Sequence, residues 1–365
     1  MREIRMNGKI PILFLFFYFI YSFKTVLLST AIQDSSIDVL KDTFNILSIV
    51  LSGISVFYIS KKERVLSFFI GMLLVFNAAI YHTVALYSYF ILFCMVCLAK
   101  KIEFKELLKI IMLSNILIII IMIPFISFSD TFFRLDDRFG ERLTLGFGNA
   151  NVMAQFLIMF FSALVLFITN RTKGLILKNL FLLLLFIMIG FVVYYSGSRT
   201  GLAMISLCFI GFVWAINSRK TLVGKKFKFL YLFCALGIIA FQYYSVSNFN
   251  ANGILIAINQ MLAGRVFYSY RLISSLGGTP ILHGMNIDNF MPIDFFYIQY
   301  FYSLGLVTAA AFMLFYFKSF WQHSYSKPSA VILLTCLMAT ATEAYFMIPL
   351  YNLSLFMIYH KKKSD

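Results

Sequence analysis

Arg134, Arg138 and Arg142 recur every fourth residue in a segment that also holds Asp130, Asp136, Asp137 and Glu141; Arg199 follows just before a later apolar run, and Arg265 and Arg271 in a long connection. Guanidinium is a planar five-donor fork that grips phosphate or carboxylate with two prongs and stays charged when half buried. If 130–143 is helical, the first three arginines share one face, where like charges repel. A polyanionic ligand would reward that spacing; the alternative is a solvated loop helix with an Asp130–Arg134 pair. Two segments point the same way: Gly146-Phe147-Gly148-Asn149-Ala150-Asn151 and Ser196-Gly197-Ser198-Arg199-Thr200 each precede an apolar run. A helix N-terminus offers unpaired N–H groups and partial positive charge to an anion, and glycine lets the backbone come close. Asn and Ser are also ordinary N-caps, so these segments gain meaning only beside the arginines. Candidate bases are His283 and Asp294; Asp288 and Asp294 equally suit turns beside Asn286, Asn289 and Pro292. Glu343 is the one acid well inside an apolar run, either a functional intramembrane carboxylate or a residue of an outer turn. Cys94 and Cys97 form a CxxC, but with no second pair or nearby His they read as packing residues. No outward carboxylate cluster resembles a metal site, so the expectation is metal-independent chemistry without a cofactor.

The elements that must position these residues are membrane helices. The 365 residues are 61% hydrophobic and only 13% charged, with a mean hydropathy of +0.88. Soluble domains are roughly 45–50% apolar and about 25% charged. This composition excludes a soluble enzyme, a secreted disulfide scaffold and a disordered chain. Apolar runs at 10–30, 43–60, 65–81, 83–99, 107–128, 151–169, 175–195, 200–217, 229–245, 296–317, 329–343 and 345–360 predict an all-α polytopic membrane protein. It has about 12 transmembrane helices in a single transmembrane domain, 1–365; a span needs roughly 20 apolar residues. The last two runs are short and could form one bent helix around Glu343 and Pro349.

The net charge of +16 reports orientation and anionic lipid, and no nucleic-acid partner is expected. Alternate connections and the two termini carry 23 of the basic residues, against seven on the opposite set (Lys41 and the six arginines above), with Lys24 inside the first run. The positive-inside rule then places both termini in the cytoplasm and requires an even number of spans. The two longest connections, about 129–149 and 246–295, face outward, and loops of that length usually carry function. The two faces also differ in kind: the inner set is 18 Lys and 5 Arg, the outer 6 Arg and 1 Lys. Orientation does not require Arg over Lys; an anion site does.

The order of these features resembles the O-antigen polymerase/ligase superfamily, in particular the Wzy-type polymerases of capsule and O-polysaccharide loci. The matching pieces are Leu145-Gly146-Phe147-Gly148-Asn149-Ala150-Asn151, Ser196-Gly197-Ser198-Arg199-Thr200-Gly201, Ala263-Gly264-Arg265 with an aromatic helix after it, Pro280-Ile281-Leu282-His283-Gly284, and Asp294 with Tyr297 and Gly305. They span roughly 129–310, about half the chain. Ala150 stands where the family often has Pro, Phe295 where it often has Asn, and His283 does not align with the ligase branch's loop histidine.

The resemblance implies a bacterial cytoplasmic-membrane glycosyltransferase that moves a growing glycan from a polyprenyl-pyrophosphate carrier onto a lipid-linked repeat unit at the outer face. The implied catalytic residues are Arg265, Arg199, His283 and Asp294; Arg134, Arg138, Arg142, Arg271, Asn149 and Asn151 would bind substrate. Its partners would be polyprenyl-pyrophosphate-linked oligosaccharide and membrane lipid, with a chain-length regulator and a flippase alongside. Pyrophosphate is a good leaving group, so catalysis needs its developing charge stabilised and one base for the acceptor hydroxyl. The competing readings are a ligase that uses another acceptor and a flippase or transporter of lipid-linked oligosaccharide. A flippase would line a path through the bilayer with charge, whereas here the ionisable residues lie at span ends and loops, with only Lys24 and Glu343 intramembrane. As a loop residue, Arg265 is expected to be dispensable for folding.

Overall fold

The computed structural model describes residues 8–32, 35–82, 85–128, 132–136, 140–172, 174–218, 222–251 and 253–359. In chain order its helices are α1 (Lys9–Leu28), α2 (Ser35–Val56), α3 (Lys61–Tyr81), α4 (Ala85–Ala99), α5 (Phe104–Phe128), α6 (Ala150–Arg171), α7 (Leu175–Tyr195), α8 (Arg199–Asn217), α9 (Lys225–Ser247), α10 (Gly253–Met261), α11 (Arg265–Leu276), α12 (Phe296–Leu304), α13 (Leu306–Gln322), α14 (Lys327–Ala339) and α15 (Ser354–Met357). Between α5 and α6, strands β1 (Phe133–Asp136) and β2 (Gly140–Leu143) form a small antiparallel sheet.

Among the described residues, eight helices are long and apolar enough to cross a membrane: α1, α2, α3, α5, α6, α7, α8 and α9. The peripheral ones show their apolar side chains outward. On α7, for example, Ile176, Ile187, Met188 and Phe191 are exposed while Leu182, Ile189 and Val193 are buried. Contiguous apolar surface on this scale is stable only against lipid, so the chain is an all-α membrane protein. Helices α1, α6 and α14 lie inside, packed by Phe14, Phe17, Met153, Phe161, Ile332 and Leu333.

The remaining four expected spans are short or broken. Run 83–99 gives α4, of 15 residues. Run 296–317 breaks into α12 and α13 at Gly305, whose φ of 78° belongs to the left-handed region that glycine tolerates. Run 329–343 shortens to α14, of 13 residues, and run 345–360 is mostly turns with the single helical turn α15. Irregular backbone survives at membrane depth only when protein covers it and satisfies its polar groups. Both conditions hold: residues 350–358 are all buried, Gln155 Nε2 donates to the Tyr351 carbonyl at 2.9 Å, and Asn352 Nδ2 donates to the Phe346 carbonyl at 2.6 Å.

Connections expected on one side of the membrane touch one another. At one end Lys100 pairs with Glu63 at 2.6 Å, Arg64 caps the Val56 carbonyl, and Leu222 bridges to Ser326. At the other, Thr30 bridges to Phe147, Gly148 N–H donates to the Ser29 carbonyl at 2.7 Å, and Arg142 reaches the turn between α7 and α8.

Candidate functional site

Within the segment read as a possible helix over 130–143, the described residues Phe133–Asp136 and Gly140–Leu143 are strands of the β1–β2 sheet. Register pairs Arg134 directly with Arg142, so the two arginines share a face by cross-strand pairing rather than by helical spacing. Directly opposed like charges destabilise a strand pair. Here each guanidinium is anchored to a backbone carbonyl of a neighbouring element: Arg134 Nη1 donates to Gly148, and Arg142 Nε donates to Ser196 at 2.7 Å. Arg138 lies outside the described residues.

Those carbonyls belong to the two glycine-containing segments, and both segments start helices as their sequences suggest. Asn149 caps α6, its side chain accepting from Asn151 N–H at 2.8 Å. Ser198 caps α8, accepting from Gly201 N–H at 3.1 Å and donating to Asn151 Oδ1 at 2.7 Å. That one hydroxyl ties the starts of α6 and α8 together. Gly201 permits the approach: a Cβ there would lie 2.7 Å from that of Ala154. Arg199, the first residue of α8, is exposed.

A third helix begins nearby. Gly264, with φ 88°, leads into α11, whose first residue is Arg265. Arg265 is 7% exposed and is forked between two acids. Its Nε donates to Asp294 Oδ2 at 3.0 Å and its Nη2 to Glu343 Oε1 at 2.6 Å. Asp294 sits between buried Ile293 and Phe295 just before α12. Glu343 is 3% exposed, in the turn beyond the end of α14. Gln242 of α9 locks this arrangement: its Oε1 accepts from Tyr297 N–H at 3.0 Å and its Nε2 donates to the Thr340 carbonyl at 2.7 Å. Arg265 therefore ties the buried Glu343 to the half-buried Asp294 across two elements, a contact that argues against the expectation that it is dispensable for folding.

These parts surround a cavity of about 740 Å³, within the range of roughly 300–1,000 Å³ typical of ligand pockets. Its polar lining includes Arg134, Arg142, Asn149, Asn151, Arg199, Arg265 and Asp294; Ala203, Met204, Met261, Leu262 and Met338 line it with apolar surface. An anion meets fixed donors here and an alkyl chain meets methionine, so the site suits an amphiphile with an anionic head.

The structure thus brings together seven of the residues singled out from sequence and leaves two elsewhere. Arg271 is exposed on α11 and does not line the cavity. His283 stacks flat on Tyr81 of α3, ring centroids 3.6 Å apart, with Nδ1 3.1 Å from the Gly284 carbonyl oxygen. Its segment is clamped onto the α12–α13 break: Leu306 N–H donates to the Pro280 carbonyl at 2.8 Å, and a Cβ on Gly284 would lie 1.9 Å from the Ser303 carbonyl oxygen. Glu343 and Gln242 complete the site without having stood among the expected site residues. Glu343 carried a signal, a lone acid in an apolar run; Gln242 carried none. Comparison with family models, with curated proteins and with solved structures finds no match for this chain.

Proposed function

We propose that the protein is a polysaccharide polymerase of the cytoplasmic membrane. It transfers a growing glycan from a polyprenyl-pyrophosphate carrier onto a lipid-linked repeat unit, with the cavity opening on the outer face and the lysine-rich end in the cytoplasm. The observation that carries this reading is the cavity itself, where four arginines, the starts of α6, α8 and α11 and one partly exposed carboxylate meet beside methionine-lined apolar surface. In the reaction an acceptor hydroxyl oxygen bonds to the anomeric carbon of the donor glycan. The bond from that carbon to the pyrophosphate oxygen breaks, and the electron pair leaves with polyprenyl pyrophosphate. Arg134, Arg142 and Arg199 are suited to hold that developing charge, which preorganised donors stabilise by about 2.7–4 kcal/mol each. Asp294 takes the acceptor proton, its carboxylate aimed by Arg265. His283, stacked on Tyr81 and off the cavity lining, is not assigned the base role. A flippase reading would call for charge along a path through the bilayer; the arginines here gather at one end of the bundle.

The test is deletion of the gene, followed by extraction of the carrier lipids. Single repeat units accumulating on the polyprenyl carrier outside the membrane, with surface polymer lost, support polymerisation. Repeat units trapped inside would point to a flippase, and full-length glycan left on the carrier would point to a ligase.

A further inference from the structure

Arg265 does not sit in the cavity as the other arginines do. Two of its donors are occupied by carboxyl groups, Asp294 at 3.0 Å and Glu343 at 2.6 Å, whereas Arg134 and Arg142 each donate to a backbone carbonyl at the start of a helix that borders the cavity. A guanidinium bracketed by two acids presents little net charge to a phosphate. It does fix the direction of each acid, because its fork is rigid. Of those acids, Asp294 lines the cavity and its side chain is 31% exposed, whereas that of Glu343 is 4% exposed and does not line it. Glu343 therefore acts on a ligand at second hand, through Arg265 and through the Thr200 side chain that it also touches at the cavity wall. Its own backbone is held by the end of α14, through Glu343 N–H to the Ala339 carbonyl at 2.9 Å.

We propose that Glu343 is a positioning residue: it grips one arm of Arg265 so that the other arm aims Asp294 into the cavity, making Arg265 a bracket for the base and leaving the anionic head to Arg134, Arg142 and Arg199. This rests on the polymerase reading above. It divides the cavity into a head-group part built on the sheet and the starts of α6 and α8, and a proton-accepting part built on α11, the start of α12 and the end of α14. Among the described residues, the other charged or titratable groups around Asp294 are Arg265 and Glu343 of the bracket, the half-buried Tyr345 beside them, and the cavity arginines.

The test uses purified full-length protein with two readouts. One is binding of radiolabelled farnesyl pyrophosphate as a short carrier analogue. The other is turnover of the lipid-linked repeat units that accumulate in the deletion strain. Glu343→Gln keeps an oxygen acceptor for Arg265 and is expected to retain turnover within about threefold. Glu343→Leu removes the acceptor, and misplacement of a catalytic group by about 1 Å costs roughly 10²-fold in turnover. Its farnesyl pyrophosphate affinity stays equal or tightens, since an arm of Arg265 is released toward the cavity. Asp294→Asn should share the loss of turnover without loss of binding. Parallel loss of folded protein, binding and turnover in Glu343→Leu would mean a structural role only and overturn the proposal, as would wild-type turnover in that variant. Wild-type protein that binds farnesyl pyrophosphate but never extends the glycan would overturn the polymerase reading and leave the head-group part of the cavity standing. Wild-type protein that fails to bind it would overturn both.

Discussion

Arg142→Lys isolates the two-pronged geometry from charge. Arg142 Nε donates to the Ser196 carbonyl at 2.7 Å, and a Cβ on Gly197 would lie 3.4 Å from that nitrogen, so the side chain lies flat on the α7–α8 turn. Arg142 also lines the cavity, so its guanidinium serves the turn and the cavity at once. A lysine has one nitrogen for both tasks. Bound to Ser196 it forfeits the head group; turned to the head group it leaves the carbonyl of a buried serine unpaired. Either way one charge-assisted hydrogen bond is lost, worth about 1.5–3 kcal/mol, which converts to about 10- to 150-fold in affinity. Charge is retained, so long-range attraction persists and the loss should persist across salt concentrations. The assay is farnesyl pyrophosphate binding to purified protein, with surface polymer length as the cellular readout and protein level checked by immunoblot. Wild-type affinity and full-length polymer from Arg142→Lys would refute the fork argument, since a point charge would then suffice.

Arg265→Ala leaves Asp294 and the buried Glu343 without their shared cation, and breaking such a pair costs about 3–5 kcal/mol; the variant should lose folded protein on heating in detergent, while Arg265→Lys retains more of it. His283→Ala should keep farnesyl pyrophosphate binding and turnover within about twofold, because the ring packs on Tyr81 outside the cavity; a loss of turnover with binding intact would restore His283 as the base. In a cysteine-free background, Leu135→Cys beside the cavity should react with an impermeant thiol reagent added to whole cells and Leu222→Cys at the lysine-rich end should not, as both positions are exposed; the reverse pattern would invert the protein in the membrane.

The starts of α6 and α8 were legible because capping is local: Asn149 and Ser198 serve the N–H groups two and three residues on, and nothing distant has to be known. The sheet was not. Its strands have four residues each, too short for a period-2 pattern to stand out. The spacing of Arg134 and Arg142 is also degenerate, since residues eight apart share a face both on a helix and when a chain folds back midway between them. The sequence therefore showed that the arginines belong together without showing which backbone brings them there. The bracket is a different case. Arg265 and Glu343 are separated by 78 positions, and a single sequence carries no record of which buried cation meets which buried acid. What it did carry was the cost: an acid in an apolar run needs a partner. Run 345–360 shows the converse limit. Its hydropathy reports burial, and burial is what the structure gives it, but apolar composition does not distinguish a helix in lipid from turns enclosed by other helices. The distinguishing residues are the polar ones. Asn352 takes a backbone carbonyl with its amide nitrogen and a backbone N–H with its oxygen, work that a regular helix would leave to the main chain. A lone Asn in a short apolar run, followed by Ser354 and preceded by Pro349, is thus a sequence sign of enclosed irregular backbone. Here that backbone is what lets α14 stop at Ala339 and turn Glu343 toward Arg265.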